Sequence, residues 1–366
     1  MKIRNFTPAI TNMSKEILNI AGKQPCSFRT NSFTELVCKA EDDILDLINC
    51  KGGHVAFLSC SGSGAMDAAV SSLIKDDDKV LVINGGTFGT RWLEICHFYN
   101  LAVLNFPVEF AKDIDIHKLE KTIIEYRPNV ILMQATESTI LQRFDVKTVG
   151  LLSKKYGSKL IVDAITAFAI DHYDMDQFHV DVTILSSQKG FGLSAGLSMV
   201  VLKKQEQIIA NPRSYYFNLS MYISKRITEL NLPFTPRYTE TGIPFTPSLI
   251  ALEQLSYQLR EMVAIGIDEV VYRVHQKASH FRELVIRYEL PLILIPETPS
   301  NCGSLYSTNK NSIENFTKKM EQKNLFFSSG PIDGKRIGIA HLGDLTESDN
   351  EFFINELSKW INDESQ

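Results

Sequence analysis

The chain has 366 residues, 44% of them hydrophobic, and a formal charge of −5 from 38 Lys and Arg against 43 Asp and Glu. That length exceeds what one hydrophobic core normally serves, so two lobes are expected. The mildly acidic balance gives no electrostatic case for nucleic acid or an anionic membrane as partner, no apolar run reaches membrane-spanning length, and the 6 cysteines and 8 histidines are too scattered for a disulfide framework or a zinc pattern.

The opening, "MKIRNFTPAITNMSKE", lacks the long apolar stretch of a secretory signal, so the expected location is the cytoplasm. From about residue 54 to 203, strand-like and helix-like pieces alternate. "HVAFLSC" is a short apolar strand, followed by the helical "GAMDAAVSSLI". "KVLVING" precedes "RWLEICHFY", "LAVLNFP" precedes "IHKLEKTIIEY", and "NVILMQAT" precedes the amphipathic "DVKTVGLLSKKYG". "KLIVDAITA", "DVTILSS" and "LSMVVLK" complete the strands. Such alternation, with strands apolar almost throughout, predicts an α/β fold with a mostly parallel sheet covered by helices on both faces. After residue 203 the pattern changes. A bridge rich in turn formers, ending in "LPFTPRYTETGIPFTPS", leads to a long helical stretch at roughly 247–285. "PLILIPE", "GSLYST", a helix near 311–323, "KRIGIAH" and a closing helix then make a smaller C-terminal α/β domain with two or three strands. The expected division is a large domain over 15–246, with 1–14 and 247–366 forming an N-terminal arm and the small domain.

In open α/β sheets, ligands bind beyond the carboxyl ends of the strands. Polar or Gly-rich elements stand at five successive ends: "CSGSGAMDAA", "GGTFGTR", "ATEST", Asp163 and Gln188-Lys189. "SGSG" runs into a helix, whose first amides and serine hydroxyls suit an anion; a simple helix cap is the plain alternative. Asp163 interrupts an apolar strand, either to pair with a cation, such as a cofactor ring nitrogen, or to cap a loop. Lys189 is either a surface lysine or an amine that a crowded apolar site turns into a nucleophile toward carbonyls. Phe88 can stack on a flat ring or serve the core. Arg336 can grip a carboxylate or phosphonate, or form a surface ion pair. An Asp for a pyridinium nitrogen, a Lys for a Schiff base and a helix N-terminus for a phosphate are what pyridoxal 5'-phosphate requires.

These residues resemble a known family. "VDAITAF" with Asp163, "SSQKGF" with Lys189, "SGSG" before a helix and "RIG" near the C-terminus are similar to the class V aminotransferases, which are fold type I pyridoxal-phosphate enzymes. The similarity runs from "NFTPAITN" to the final helix and leans to the alanine–glyoxylate, serine–glyoxylate and 2-aminoethylphosphonate–pyruvate branch. The resemblance implies that Lys189 forms the Schiff base and shuttles the proton, and that Asp163 keeps the ring nitrogen protonated. It implies phosphate contacts from Ser61, Gly62, Ser63 and Gln188, stacking by Phe88, and substrate carboxylate binding by Arg336. Thr139, or another residue of 136–139, would meet the ring hydroxyl. Thr246 would reach the phosphate of a second subunit, making the enzyme a homodimer with its active site at the interface. The implied reaction passes an amino group from a small donor to a keto acid, first 2-aminoethylphosphonate to pyruvate, then alanine or serine to glyoxylate. A cysteine desulfurase, with Cys302 as its thiolate, and a non-catalytic binding protein are the rivals.

Overall fold

The computed structural model describes residues 2–204, 208–223, 243–309, 313–329 and 335–362. Its centre is a seven-stranded sheet in the order His54–Leu58, Ser198–Leu202, Val182–Ser186, Lys159–Asp163, Val130–Gln134, Lys79–Asn84 and Ala102–Pro107. Ser198–Leu202 runs antiparallel to both neighbours, and the other strands are parallel. The central strands are buried on both faces, as their unbroken apolar sequences require.

Two apolar layers cover the sheet. On one face lie the helices Gly62–Leu73 and Thr87–Phe98, contributing Met66, Leu73 and Trp92. On the other lie Asn31–Leu47, Ile116–Tyr126, Val146–Tyr156 and Leu249–Ile265, contributing Ile44, Leu119, Val149 and Leu255. Each of the parallel crossovers delivers a strand's carboxyl end to the same edge of the sheet. Leu58, Asn84, Gln134, Asp163 and Ser186 therefore end together, joined by Ser198 at the start of the antiparallel strand.

The small domain is a five-stranded sheet in the order Arg4–Phe6, Leu325–Ser329, Arg336–Ala340, Gly303–Ser307 and Ile293–Leu294. Phe281, Phe316, Phe353 and Trp360 pack on one of its faces. Leu305 and Cys302 lie in a separate cluster with Ile140, Leu141 and Ile170, which joins the domains at the edge where the large sheet's strands end.

The element order agrees with the sequence reading, with two differences. The stretch expected as one helix over 247–285 is two, Leu249–Ile265 and Ile267–Arg287, broken at Gly266, whose φ of 85° is in the left-handed region that glycine favours. Ala251, Leu252, Leu255 and Leu259 of the first of these helices pack in the core on the large sheet. The small sheet gains two strands the pattern did not show. Arg4–Phe6 pairs parallel with Leu325–Ser329, and Lys2 and Arg4 clamp the arm to Asp349 at 2.6 and 2.9 Å. The bridge 232–248 falls outside the described residues up to 242.

Candidate active site

The shared edge of the large sheet gathers Asp163, Gln188, Lys189 and the start of the helix Gly62–Leu73. Asp163 is the last residue of Lys159–Asp163, between Gln134 and Ile184 on the neighbouring strands, and is 5% exposed. One backbone hydrogen bond holds its carboxylate, from Ile165 N to Oδ1 at 2.9 Å. Burial, reinforced by the nearby Glu137, pushes Asp163 up from 3.8 to about 7. A buried carboxylate of this kind calls for a cationic partner that the described protein groups only partly supply.

Lys189 stands three residues past the adjacent strand, Val182–Ser186, and is 6% exposed. The turn bearing it is fixed from both sides. Ser187 N donates to Leu197 O at 2.9 Å, Ser187 Oγ to Ser194 O at 2.6 Å, and Gly192 N to Lys189 O at 2.9 Å. Ser194 reaches Gln254, which is buried and donates from Nε2 to Ile17 O at 3.0 Å. At Gly190 the chain passes so near the preceding turn that a Cβ would sit 2.1 Å from Phe168 O. Burial holds the Lys189 amine below the ordinary lysine range, against the pull of Cys302 and Asp163. Since burial also pushes the Cys302 thiol up to about 12, that sulfur carries no charge near neutrality, and Asp163 is the ionisable neighbour that counts.

A seat of donors lies beside this pair. Ser61 is the N-cap of Gly62–Leu73, but its side chain does not cap; Gly64 N donates to Ser61 O at 2.9 Å, while the Ser61 hydroxyl and the Gly62 and Ser63 amides have no partner among the described hydrogen bonds. Gly62 packs so closely that a Cβ would lie 2.3 Å from Ile165 Cδ1, two residues after Asp163. Ser63 Oγ receives Arg91 Nη1 at 2.8 Å. Gln188 Oε1 receives Ser186 Oγ at 2.6 Å, and the Gln188 amide N–H groups have no partner among the described hydrogen bonds. Ser186 in turn meets Ser198 Oγ at 2.9 Å, and Ser198 donates to Cys60 O at 3.1 Å.

Phe88 opens the helix Thr87–Phe98, and its side chain is half-buried. What fixes it is Glu137, a residue the sequence reading passed over inside "ATEST". Glu137 is fully buried and accepts from Phe88 N at 2.9 Å and from Thr139 N and Oγ1 at 3.2 and 2.6 Å. It also presses on Gly86, where a Cβ would lie 2.8 Å from its Cγ. Burial pushes the Glu137 carboxyl up, opposed by these hydrogen bonds. A carboxylate following a strand end is a sequence signal, but serine and threonine on both sides masked it. Thr139 is exposed and gives its hydroxyl hydrogen to Glu137. Ser138 is 5% exposed and has no hydrogen bond among those described.

Thr246 is exposed, two residues before Ser248, whose N donates to Ser59 Oγ at 2.8 Å. Arg336 begins its strand with its guanidinium carbon 4.4 Å from the Phe110 ring centroid. Ile337 and Ile339 face the small-domain core, so Arg336 alternates to the other face with Gly338, beside Leu305. Cys302 is fully buried, with its N on Ser300 Oγ at 3.1 Å and its O accepting from His341 N at 2.9 Å. A thiol this fixed and this firmly protonated is unsuited to a mobile nucleophile, which counts against the desulfurase rival.

The family model for class V aminotransferases matches residues 5–331. The chain belongs to that family. It is therefore a transaminase dependent on pyridoxal 5'-phosphate. It is 24% identical over 357 residues to the L-aspartate–glyoxylate aminotransferase of Paracoccus denitrificans, covering 94% of this chain and 87% of that one. It is 25% identical over 237 residues to the 2-aminoethylphosphonate–pyruvate transaminase of Salmonella paratyphi B, covering 63% and 64%. The alanine–glyoxylate aminotransferase structure from Nostoc sp. superposes with a TM-score of 0.87 at 17% identity, over 98% of this chain and 93% of that one. The site fits the cofactor on its own terms. It offers an underpartnered buried carboxylate, a buried amine, and a helix start whose hydroxyl and amides are left open.

The buried acid has a measurable signature. Asp163 binds its proton more tightly in the folded chain, so its contribution to stability is present at low pH and is lost as pH rises from 3.8 to about 7. Asp163→Asn keeps the acceptor for Ile165 N and removes the charge. Cofactor-free Asp163→Asn is expected to melt above wild type at about pH 8 and level with it below about pH 4. Parallel melting curves across that range would show that Asp163 is not the buried acid described.

Proposed function

We propose that Lys189 and Asp163 carry the amino transfer and that the strand-end residues around them hold the cofactor. The observation that supports this most is the pairing of a buried amine and a buried carboxylate at adjacent strand ends beside an open helix N-terminus. Asp163 would hold the ring nitrogen, supplying the counter-charge that a pyridinium lacks elsewhere. Ser61, Gly62, Ser63 and Gln188 would donate to the phosphate. Phe88 would cover one ring face. For the ring hydroxyl we move the assignment from Thr139 to Ser138, because the Thr139 hydroxyl is already committed to Glu137 at 2.6 Å while Ser138 is buried and open.

Pyridoxal phosphate, when bound, supplies the electron sink that makes the donor's C–H bond labile. Lys189 anchors the group and, when displaced, is the base that takes and returns the proton. Burial disfavours the charged form of that amine, which favours its action as a base. The turn fixed by Ser187, Gly192 and Gln254 keeps that amine within the apolar edge and away from bulk water. Arg336, on the sheet face toward the domain junction, would bind the substrate's anionic group.

Two donor and acceptor pairs are open. The sequence reading placed 2-aminoethylphosphonate and pyruvate first. The relative matching 94% of this chain is an aspartate–glyoxylate enzyme, whereas the phosphonate enzyme matches 63%, which favours glyoxylate as the acceptor. We also propose a homodimer. Beside the seat, Tyr215 is 77% exposed, Tyr216 stacks on Phe245 at 4.8 Å, and Thr246 follows in the open, a surface suited to cover by a second copy. Sedimentation is expected to give a dimer; a monomer that still binds cofactor would contradict this. In single-turnover spectra, L-aspartate, L-alanine or L-serine should convert the bound cofactor, and glyoxylate should reverse the change. Conversion by 2-aminoethylphosphonate alone, reversed by pyruvate alone, would restore the first pair. Lys189→Ala should cut conversion by roughly 10²–10⁴-fold or more.

A further inference from the structure

Arg91 lies in "GGTFGTR" and was given no role by its sequence. The helix Thr87–Phe98 carries it to the first turn of Gly62–Leu73, where its Nη1 meets Ser63 Oγ at 2.8 Å. Its Nε also meets Glu94 Oε2 at 3.0 Å, but Glu94 is 63% exposed, and such a surface pair does little to neutralise the guanidinium. Three consequences follow from the chemistry of these groups.

A serine hydroxyl has one hydrogen. When Arg91 donates to Ser63 Oγ, that hydrogen must point to another acceptor. Ser63 is the second residue of its helix and makes no described bond back to a carbonyl, so its hydrogen is left for an acceptor that arrives at the helix start. The guanidinium also has five N–H groups, of which the described bonds use two, so the group beside Ser63 has donors to spare. Finally, the other seat donors, Ser61, the Gly62 and Ser63 amides and Gln188, are all neutral. A phosphate dianion would otherwise meet only dipoles there.

We propose that Arg91 is part of the phosphate seat: it supplies the seat's positive charge and orients the Ser63 hydroxyl to donate to the anion. This rests on the reading of residues 61–63 as the phosphate site, and the test separates the two. Cofactor-free wild type, Arg91→Ala, Arg91→Lys, Ser63→Ala and the Arg91→Ala/Ser63→Ala double variant are titrated with pyridoxal 5'-phosphate, with pyridoxal and with inorganic phosphate. Binding is followed by intrinsic fluorescence, and folding by circular dichroism. Arg91→Ala should weaken pyridoxal 5'-phosphate and inorganic phosphate by roughly 10- to 100-fold while leaving pyridoxal within about threefold. Arg91→Lys should lose less, because it keeps the charge but not the fork. The double variant should lose less than the product of the two single losses, because the partners act together. An unchanged preference for pyridoxal 5'-phosphate over pyridoxal in Arg91→Ala, or in Arg91→Lys should the alanine variant not fold, would overturn the proposal. Single losses that multiply would overturn the orienting role. A wild type with no preference for the phosphorylated form would overturn the phosphate seat itself.

Discussion

The site depends on withdrawing two opposite ionisable groups from water at neighbouring strand ends. Asp163 and Lys189 are each almost wholly buried, and burial pushes both toward their neutral forms. Neither is buried with a full set of partners: Asp163 accepts one backbone N–H, and the turn holding Lys189 is fixed through its backbone and Ser187 rather than through the amine. A fold does not benefit from leaving such groups underpartnered for stability alone. A bound cation ring and a carbonyl carbon are the partners that would relieve them, and the parallel sheet is what brings the two groups together.

Around that pair, hydroxyls and amides are set in advance by occupying their acceptor atoms from behind. Ser186 fills Gln188 Oε1, and Arg91 fills Ser63 Oγ, so the hydrogens left over are available to a further acceptor. Glu137 does the same work for backbone, collecting N–H groups from the Phe88 turn and from Thr139 on a single buried carboxylate. Such arrangements lower the reorganisation needed when an anion or a ring arrives. They also explain the close glycines: Gly62, Gly86 and Gly190 each stand where a Cβ would run into a neighbouring segment.

The fold class was legible because buried parallel strands are apolar throughout and their helices follow at regular intervals. Asp163 and Lys189 were legible for the opposite reason, as polar residues where the pattern expects apolar ones. The edge strands were not. Arg4–Phe6 has three residues and takes its place from a partner more than 300 residues away, which no local period records. The break at Gly266 was hidden by apolar positions that continue across it. Glu137 and Arg91 were missed because each acts through a partner distant in sequence, Phe88 in one case and Ser63 in the other. The choice within 136–139 was open for the same reason, since only the structure shows which hydroxyl Glu137 already holds.

The central claim is that Lys189, among 25 lysines, is the amine that bonds to the cofactor. Borohydride reduction of the holoenzyme, followed by proteolysis and peptide mass mapping, tests it most directly. The account predicts that the cofactor is fixed on the peptide containing "SSQKGF", at Lys189, and that prior treatment with a competent amino donor prevents the labelling. Labelling at another lysine, or a protein with its cofactor bound and no lysine labelled, would contradict it.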